Sequence, residues 1–287
     1  MKPFEDDAPI KTQWKVEEHE EITTVGTRQM RELGRYFSRK YLPLLLDDEI
    51  ASKTFWRSSK AARARSSGVS LVEGINEGAG IEVIHPDGDV KYDIDADFYM
   101  RPWKIYKEAM DNIKSEGEKN PEWISKATEH LDLLMRILKP IGIQEKILAK
   151  PVKAMWTTTY VSCLEAVEAY WPQEEGQRTA LTEFLSLIDP RDMEELRKIS
   201  LWIWEKRFLD NDVYPLFGGL LTAEILERCL DESLRLNVYS AHDYTVLSVL
   251  SNLRIFPVYE VMMSFACTVT LEVWSSTPPP HANGPSR

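Results

Sequence analysis

Two side chains able to do proton chemistry stand side by side in "YSAHDYTVLSVL" (239–250): His242 and Asp243. They fall at a seam. "LNVYS" (236–240) is short and partly β-branched or aromatic, as a buried strand should be. Beyond the couplet, Val246, Leu250 and Leu253 recur at helical spacing, which predicts a helix from about Asp243. Two roles are open to the pair. Asp243 can be a helix cap, its carboxylate accepting the free N–H groups of the first turn, with His242 a packed polar residue. Alternatively, the pair floors an anion site, because open α/β sheets bind anions where a strand's carboxyl end meets a helix N-terminus.

A cation for such a site stands in "TFWRSSKAARARSSG". Arg57, Lys60, Arg63 and Arg65 place four cations in nine residues of an acidic chain. For Lys60, Arg63 and Arg65 a solvated helix face is the expectation. Arg57 ends the predicted strand "TFW", where a guanidinium can point into a pocket and bind phosphate bidentately. Arg57, His242 and Asp243 thus offer a cation, an N–H donor and a proton source. "DIDADF" (93–98) is rich in carboxylates but has neither the glycine nor the closing glutamate of an EF-hand loop, so it reads as surface.

Other chemistry is excluded by what the sequence lacks. A net charge of −11 argues against a general nucleic-acid partner. No apolar run approaches the roughly 20 residues of a membrane helix. The three cysteines (Cys163, Cys229, Cys267) and five histidines (His19, His85, His130, His242, His281) have no metal-ligand spacing, so no metal and no cofactor is assigned. There is no G-x-S-x-G elbow, P-loop or G-x-G-x-x-G.

The elements that must position the site follow in order. Residues 24–41 predict an amphipathic helix with Met30, Leu33, Phe37 and Tyr41 on one face and Thr23 or Thr24 as cap. A strand ends near Trp56 and a helix begins near Lys60. "IEVIHPDGDVKYDI" predicts a hairpin with Asp87-Gly88 at its tip and His85 exposed. Residues 103–210 are mostly helical, broken near Pro121, Pro140, Pro151, Pro172 and Pro190. A helix resumes through Leu221, Ile225 and Cys229 before "LNVYS". Finally "SFACTVTLEVW" alternates, with Phe265, Cys267, Val269, Leu271 and Val273 on one side, which predicts a strand. This order implies an α/β core at 9–102 and 211–274, a helical insertion at 103–210 and a disordered tail at 275–287.

Longer stretches carry a family resemblance. "EEITTVGTRQMRELGRYFSRKY", "TFWRSSKAARARSSG", "YPLFGGLLTAEILERCL", "LNVYSAHDYTVLSVLSNLRIF" and "YEVMMSFACTVTLEVW" resemble, in order, segments of the histidine acid phosphatases in branch 2 of the histidine phosphatase superfamily. The resemblance implies a mixed, mostly parallel sheet between helices with a helical cap over the site. It implies hydrolysis of small phosphomonoesters through a phosphohistidine. Arg57 would bind phosphate, His242 would hydrogen-bond the transferring group and Asp243 would protonate the leaving alkoxide. It also implies a Cys163–Cys267 disulfide with Cys229 free, a secretory or lysosomal setting, and room for a homodimer.

One motif of the resemblance is not in the sequence. The family carries R-H-G-x-R-x-P on its first core strand, with the histidine as nucleophile. None of the five histidines here is preceded by Arg and followed by Gly. The expectation is therefore a truncated member lacking its first core strand, with flanking strands left without ladder partners, and lacking turnover. Loss of a nucleophile costs on the order of 10⁶ in kcat, or about 8 kcal/mol of barrier. The alternative is a pseudophosphatase, a phosphate- or phospholipid-binding module.

Overall fold

The computed structural model describes residues 22–45, 53–80, 82, 98–140, 142–170, 185–208, 213–255 and 265–274, excluding the side chains of 44–45, 160, 163–170 and 213–215. The predicted hairpin around Asp87-Gly88, His85, most of "DIDADF" and the 275–287 tail lie outside them.

The chain starts as the apolar period dictates. Helix α1 (Thr24–Leu45) is capped by Thr23, whose hydroxyl accepts from the Gly26 N–H at 3.0 Å. Strand β1 (Thr54–Ser58) and helix α2 (Ala62–Ala79) follow. Met30, Leu33, Phe37 and Leu42 of α1 pack with Trp56 of β1 and with Leu71, Val72 and Ile75 of α2. The two helices meet through Gly34 and Gly74. A Cβ on Gly34 would strike the Leu71 carbonyl oxygen, and one on Gly74 the Arg31 carbonyl oxygen. Arg31 pairs with Glu73, and Arg35 with Glu77 at 2.6 Å, along the same crossing.

A run of short helices follows: α3 (Pro102–Ile105), α4 (Lys107–Lys119), α5 (Pro121–Glu129), α6 (Leu131–Leu138) and α7 (Glu145–Leu148). Longer helices α8 (Pro151–Tyr170) and α9 (Pro190–Phe208) complete the block. The prolines punctuate it as expected. Pro121, Pro151 and Pro190 each open a helix, where a missing N–H costs nothing. Asn120 caps α5 by accepting from the Glu122 N–H at 2.9 Å. Leu134, Leu138, Met155, Leu196, Ile199 and Ile203 build a second core.

Helix α10 (Val213–Cys229), strand β2 (Leu236–Ser240) and helix α11 (Asp243–Asn252) return to the first layer. Leu247 of α11 is buried in the core of the helical block, while Val238 of the preceding strand β2 lies in the first core. Among the described residues the sheet has two strands. β1 pairs with β2 in parallel, Thr54 opposite Leu236 through Ser58 opposite Ser240. The architecture is thus a mostly helical α/β fold with a small parallel sheet.

β1 and β2 are each other's ladder partner, and the other edge of each has no partner among the described residues. One sequence expectation is corrected here. Residues 265–274 join no ladder, and Phe265, Val269, Leu271 and Val273 are exposed. Alternation marks a segment able to pack one face, and no described neighbour meets that face. The segment is tied instead by Glu272, which accepts from the Tyr41 hydroxyl at 2.5 Å and from Lys40 Nζ at 3.3 Å.

Candidate active site

Parallel pairing sends the carboxyl ends of β1 and β2 to the same end of the sheet. The Ser59 N–H extends the ladder by donating to the Ser240 carbonyl at 3.1 Å. That register brings Ser59 to the residue leaving β2. Ser59 Oγ lies 2.8 Å from His242 Nε2. Sequence reading missed Ser59, although a serine two residues past Arg57 on a strand end is a signal once the register is known.

His242, in extended backbone (φ −129°, ψ 162°), is the N-cap residue of α11, and Asp243 is its first helical residue. This corrects the capping expectation by one position. The Asp243 carboxylate still serves the first turn: Oδ1 accepts from the Tyr244 N–H at 2.9 Å. Burial among protein groups pushes the Asp243 carboxyl above the ordinary carboxylate range, opposed by the Tyr244 N–H and the Arg63 charge. Yet Asp243 is exposed to solvent. Both hold if the side chain is crowded by protein on most sides and open on one, the situation a general acid needs. Arg63, read as a solvated cation, is exposed but its charge reaches Asp243.

Side chains of the helical block reach His242 and Tyr244. The Trp103 ring stands edge-on to His242 at 6.3 Å between centroids and to Tyr244 at 5.8 Å. Arg207 of α9 donates to the Tyr244 hydroxyl at 2.7 Å, and Thr245 donates to the Met100 carbonyl at 2.7 Å. These links fix the start of α11 against the block.

Arg57 sits at the same end of the sheet, opposite Tyr239 in register. Its guanidinium Nη1 is 2.5 Å from Glu224 Oε2 on α10, and the cation lies 5.2 Å from the centroids of both Phe55 and Tyr99. Glu224 Oε1 also accepts from Arg228 Nε at 2.9 Å and from the Tyr239 hydroxyl at 3.3 Å. Burial and the Glu224 charge push the Tyr239 phenol well up. His242 and Asp243 are thus joined to Ser59 and Trp103, whereas Arg57 is joined to Glu224. Sequence reading did not identify Glu224, because nothing in "TAEILERC" marks which face of the helix meets Arg57.

The expected disulfide is not made. Cys267 is a free, exposed thiol, and Cys229 is also free; the Cys163 side chain lies outside the described residues. The reason is placement. Segment 265–274 runs past Lys40–Tyr41, and Cys267 feels the charge of Asp243. No cluster of metal-ligating side chains occurs among the described residues, and no described helix is long and apolar enough to cross a membrane.

Comparison with known proteins addresses the family. No curated protein matches the chain. A solved structure, described as a phytase of Klebsiella sp ASR1, is similar with 18% identity and a TM-score of 0.48. That alignment covers 82% of this chain and 63% of the phytase, so the chain spans less than two thirds of that relative's length. The model of the histidine phosphatase superfamily (branch 2) matches residues 4–140, just under half of the chain, a span that contains Arg57 and ends before His242. Over residues 4–140 the chain is thus similar to the histidine phosphatase superfamily, branch 2.

Proposed function

We propose that this chain binds small phosphomonoesters at the carboxyl ends of β1 and β2, as part of an acid-phosphatase-type hydrolase. Arg57 grips the phosphoryl oxygens, His242 donates to the transferring group, and Asp243 holds the proton for the leaving alkoxide. The observation that carries this reading is the Ser59–His242 hydrogen bond beside an Asp243 whose carboxyl retains its proton above the ordinary range. Ser59 orients the imidazole, and a raised carboxyl is protonated where an ordinary one is not. Guanidinium and imidazole donors stabilise the charge that builds on the equatorial oxygens.

On this reading the chain alone binds without turning over, because none of its histidines stands in an R-H-G context. The covalent route needs such a nucleophile, and the remaining groups do not replace it. A secretory or lysosomal setting belongs to the same reading, as does the 103–210 block acting as a cap.

The test has two arms. Inorganic phosphate titrated against the chain should saturate a single site, and Arg57→Ala should weaken it by about tenfold or more, the scale of a lost charge-assisted contact. p-Nitrophenyl phosphate at acid pH should not be hydrolysed. Turnover that survives EDTA would sink the claim that the chain only binds. Failure of phosphate to bind at all would remove the phosphate site.

A further inference from the structure

The surroundings of Arg57 hold more than phosphate recognition requires. Glu224 is largely buried, its side chain 13% exposed, and both of its oxygens are engaged. Oε2 faces Arg57 Nη1 at 2.5 Å, while Oε1 accepts from Arg228 Nε at 2.9 Å and from the Tyr239 hydroxyl at 3.3 Å. Arg228 is itself seated 3.5 Å from the Phe55 ring centroid, the ring that also flanks Arg57. Two guanidinium groups and one carboxylate leave this cluster one positive charge in excess. Glu224 takes one nitrogen of Arg57 and leaves the Nε–Nη2 edge of the fork without a carboxylate among the described residues.

We propose, resting on the phosphate-site reading above, that Glu224 is the positioning residue for Arg57. A guanidinium on a long stem loses rotamer freedom when it grips an anion, and a carboxylate that fixes the stem beforehand removes that loss from the binding step. Glu224 anchors one nitrogen; the Phe55 and Tyr99 rings each lie 5.2 Å from the cation; Arg228 and Tyr239 keep Glu224 from swinging away. The free edge then meets two phosphoryl oxygens in the planar geometry a guanidinium favours. Glu224 touches no substrate in this scheme and acts only through Arg57.

The sign of the effect separates positioning from simple electrostatics. Deleting a negative charge beside an anion site should tighten anion binding, whereas deleting a brace should loosen it. Inorganic phosphate is titrated calorimetrically against the full chain and its Glu224→Gln, Glu224→Ala and Arg57→Ala variants, with circular dichroism confirming the fold of each. Glu224→Gln keeps volume and one acceptor, and should weaken phosphate a few-fold; Glu224→Ala should weaken it by about tenfold, one charge-assisted hydrogen bond. In an Arg57→Ala background, Glu224→Gln should have no further effect. Phosphate binding by Glu224→Gln that equals or exceeds that of the unaltered chain overturns the positioning role, even if Glu224→Ala does not fold. If Arg57→Ala itself leaves binding intact, the phosphate-site reading fails instead.

Discussion

At the scale of single residues, Asp243 ties chemistry to stability. Its carboxyl is raised in the folded chain, chiefly by burial. A folded state that holds a proton more tightly than the unfolded one loses stability as pH rises between the two pKa values. The loss begins at about pH 4, the ordinary carboxylate range, and is complete above the raised value. Asp243→Asn cannot ionise, and its amide oxygen can still accept from the Tyr244 N–H. The variant should therefore be more stable than the unaltered chain at neutral pH and equal to it at low pH. Urea unfolding at several pH values checks this; a variant less stable at every pH would mean the carboxylate is held by partners rather than crowded. The couplet itself was legible in the sequence, because a histidine and an aspartate at a strand–helix seam are rare and local. Ser59, Trp103 and Glu224 were not, because each reaches the site through pairing or packing between segments distant in the chain.

At the scale of elements, α1 and α2 show which features a sequence exposes and which it hides. The apolar face of α1, its Thr23 cap and the proline starts of α5, α8 and α9 all follow from local rules. The glycine contact between α1 and α2 does not. It becomes visible only when Gly34 faces Leu71 and Gly74 faces Arg31 across two backbones in contact. Because the obstacles are carbonyl oxygens rather than flexible side chains, relief requires the helices to separate. Gly74→Ala should cost about 1–3 kcal/mol or more, despite alanine's better helix propensity. Thermal unfolding should register it as a fall of about 2–4 °C per kcal/mol for a chain of this size. An unchanged or higher melting temperature would mean that the helices do not pack at this distance. Alternation at 265–273 misled for the complementary reason. Period two states that a strand can form, but a ladder also needs an edge to receive it, and none of the described neighbours offers one.

At the scale of the whole molecule, order along the chain pointed to the α/β class, because that class rests on element order. Which side chain meets which across that order was not available. The cysteines are the case in point. The thiol of Cys267 is pushed above its ordinary value by burial and then by the Asp243 charge, although the residue is exposed. Segments 24 residues apart, with α11 between them, are thus coupled through a charge. Only the thiolate alkylates, so the rate at neutral pH reports the thiol's pKa as well as its access. Iodoacetamide should modify Cys267 slowly at pH 7 and increasingly fast as pH rises. Asp243→Asn removes the repelling charge and should accelerate the reaction at pH 7 by several-fold, while leaving the high-pH rate unchanged, because there the thiolate is fully formed in both proteins. Peptide mapping by mass spectrometry distinguishes Cys267 from Cys229, whose raised thiol shows burial alone and should not respond. Equal acceleration of both thiols would point to general loosening of the fold. No acceleration of either would separate segment 265–274 from the His242–Asp243 end of α11.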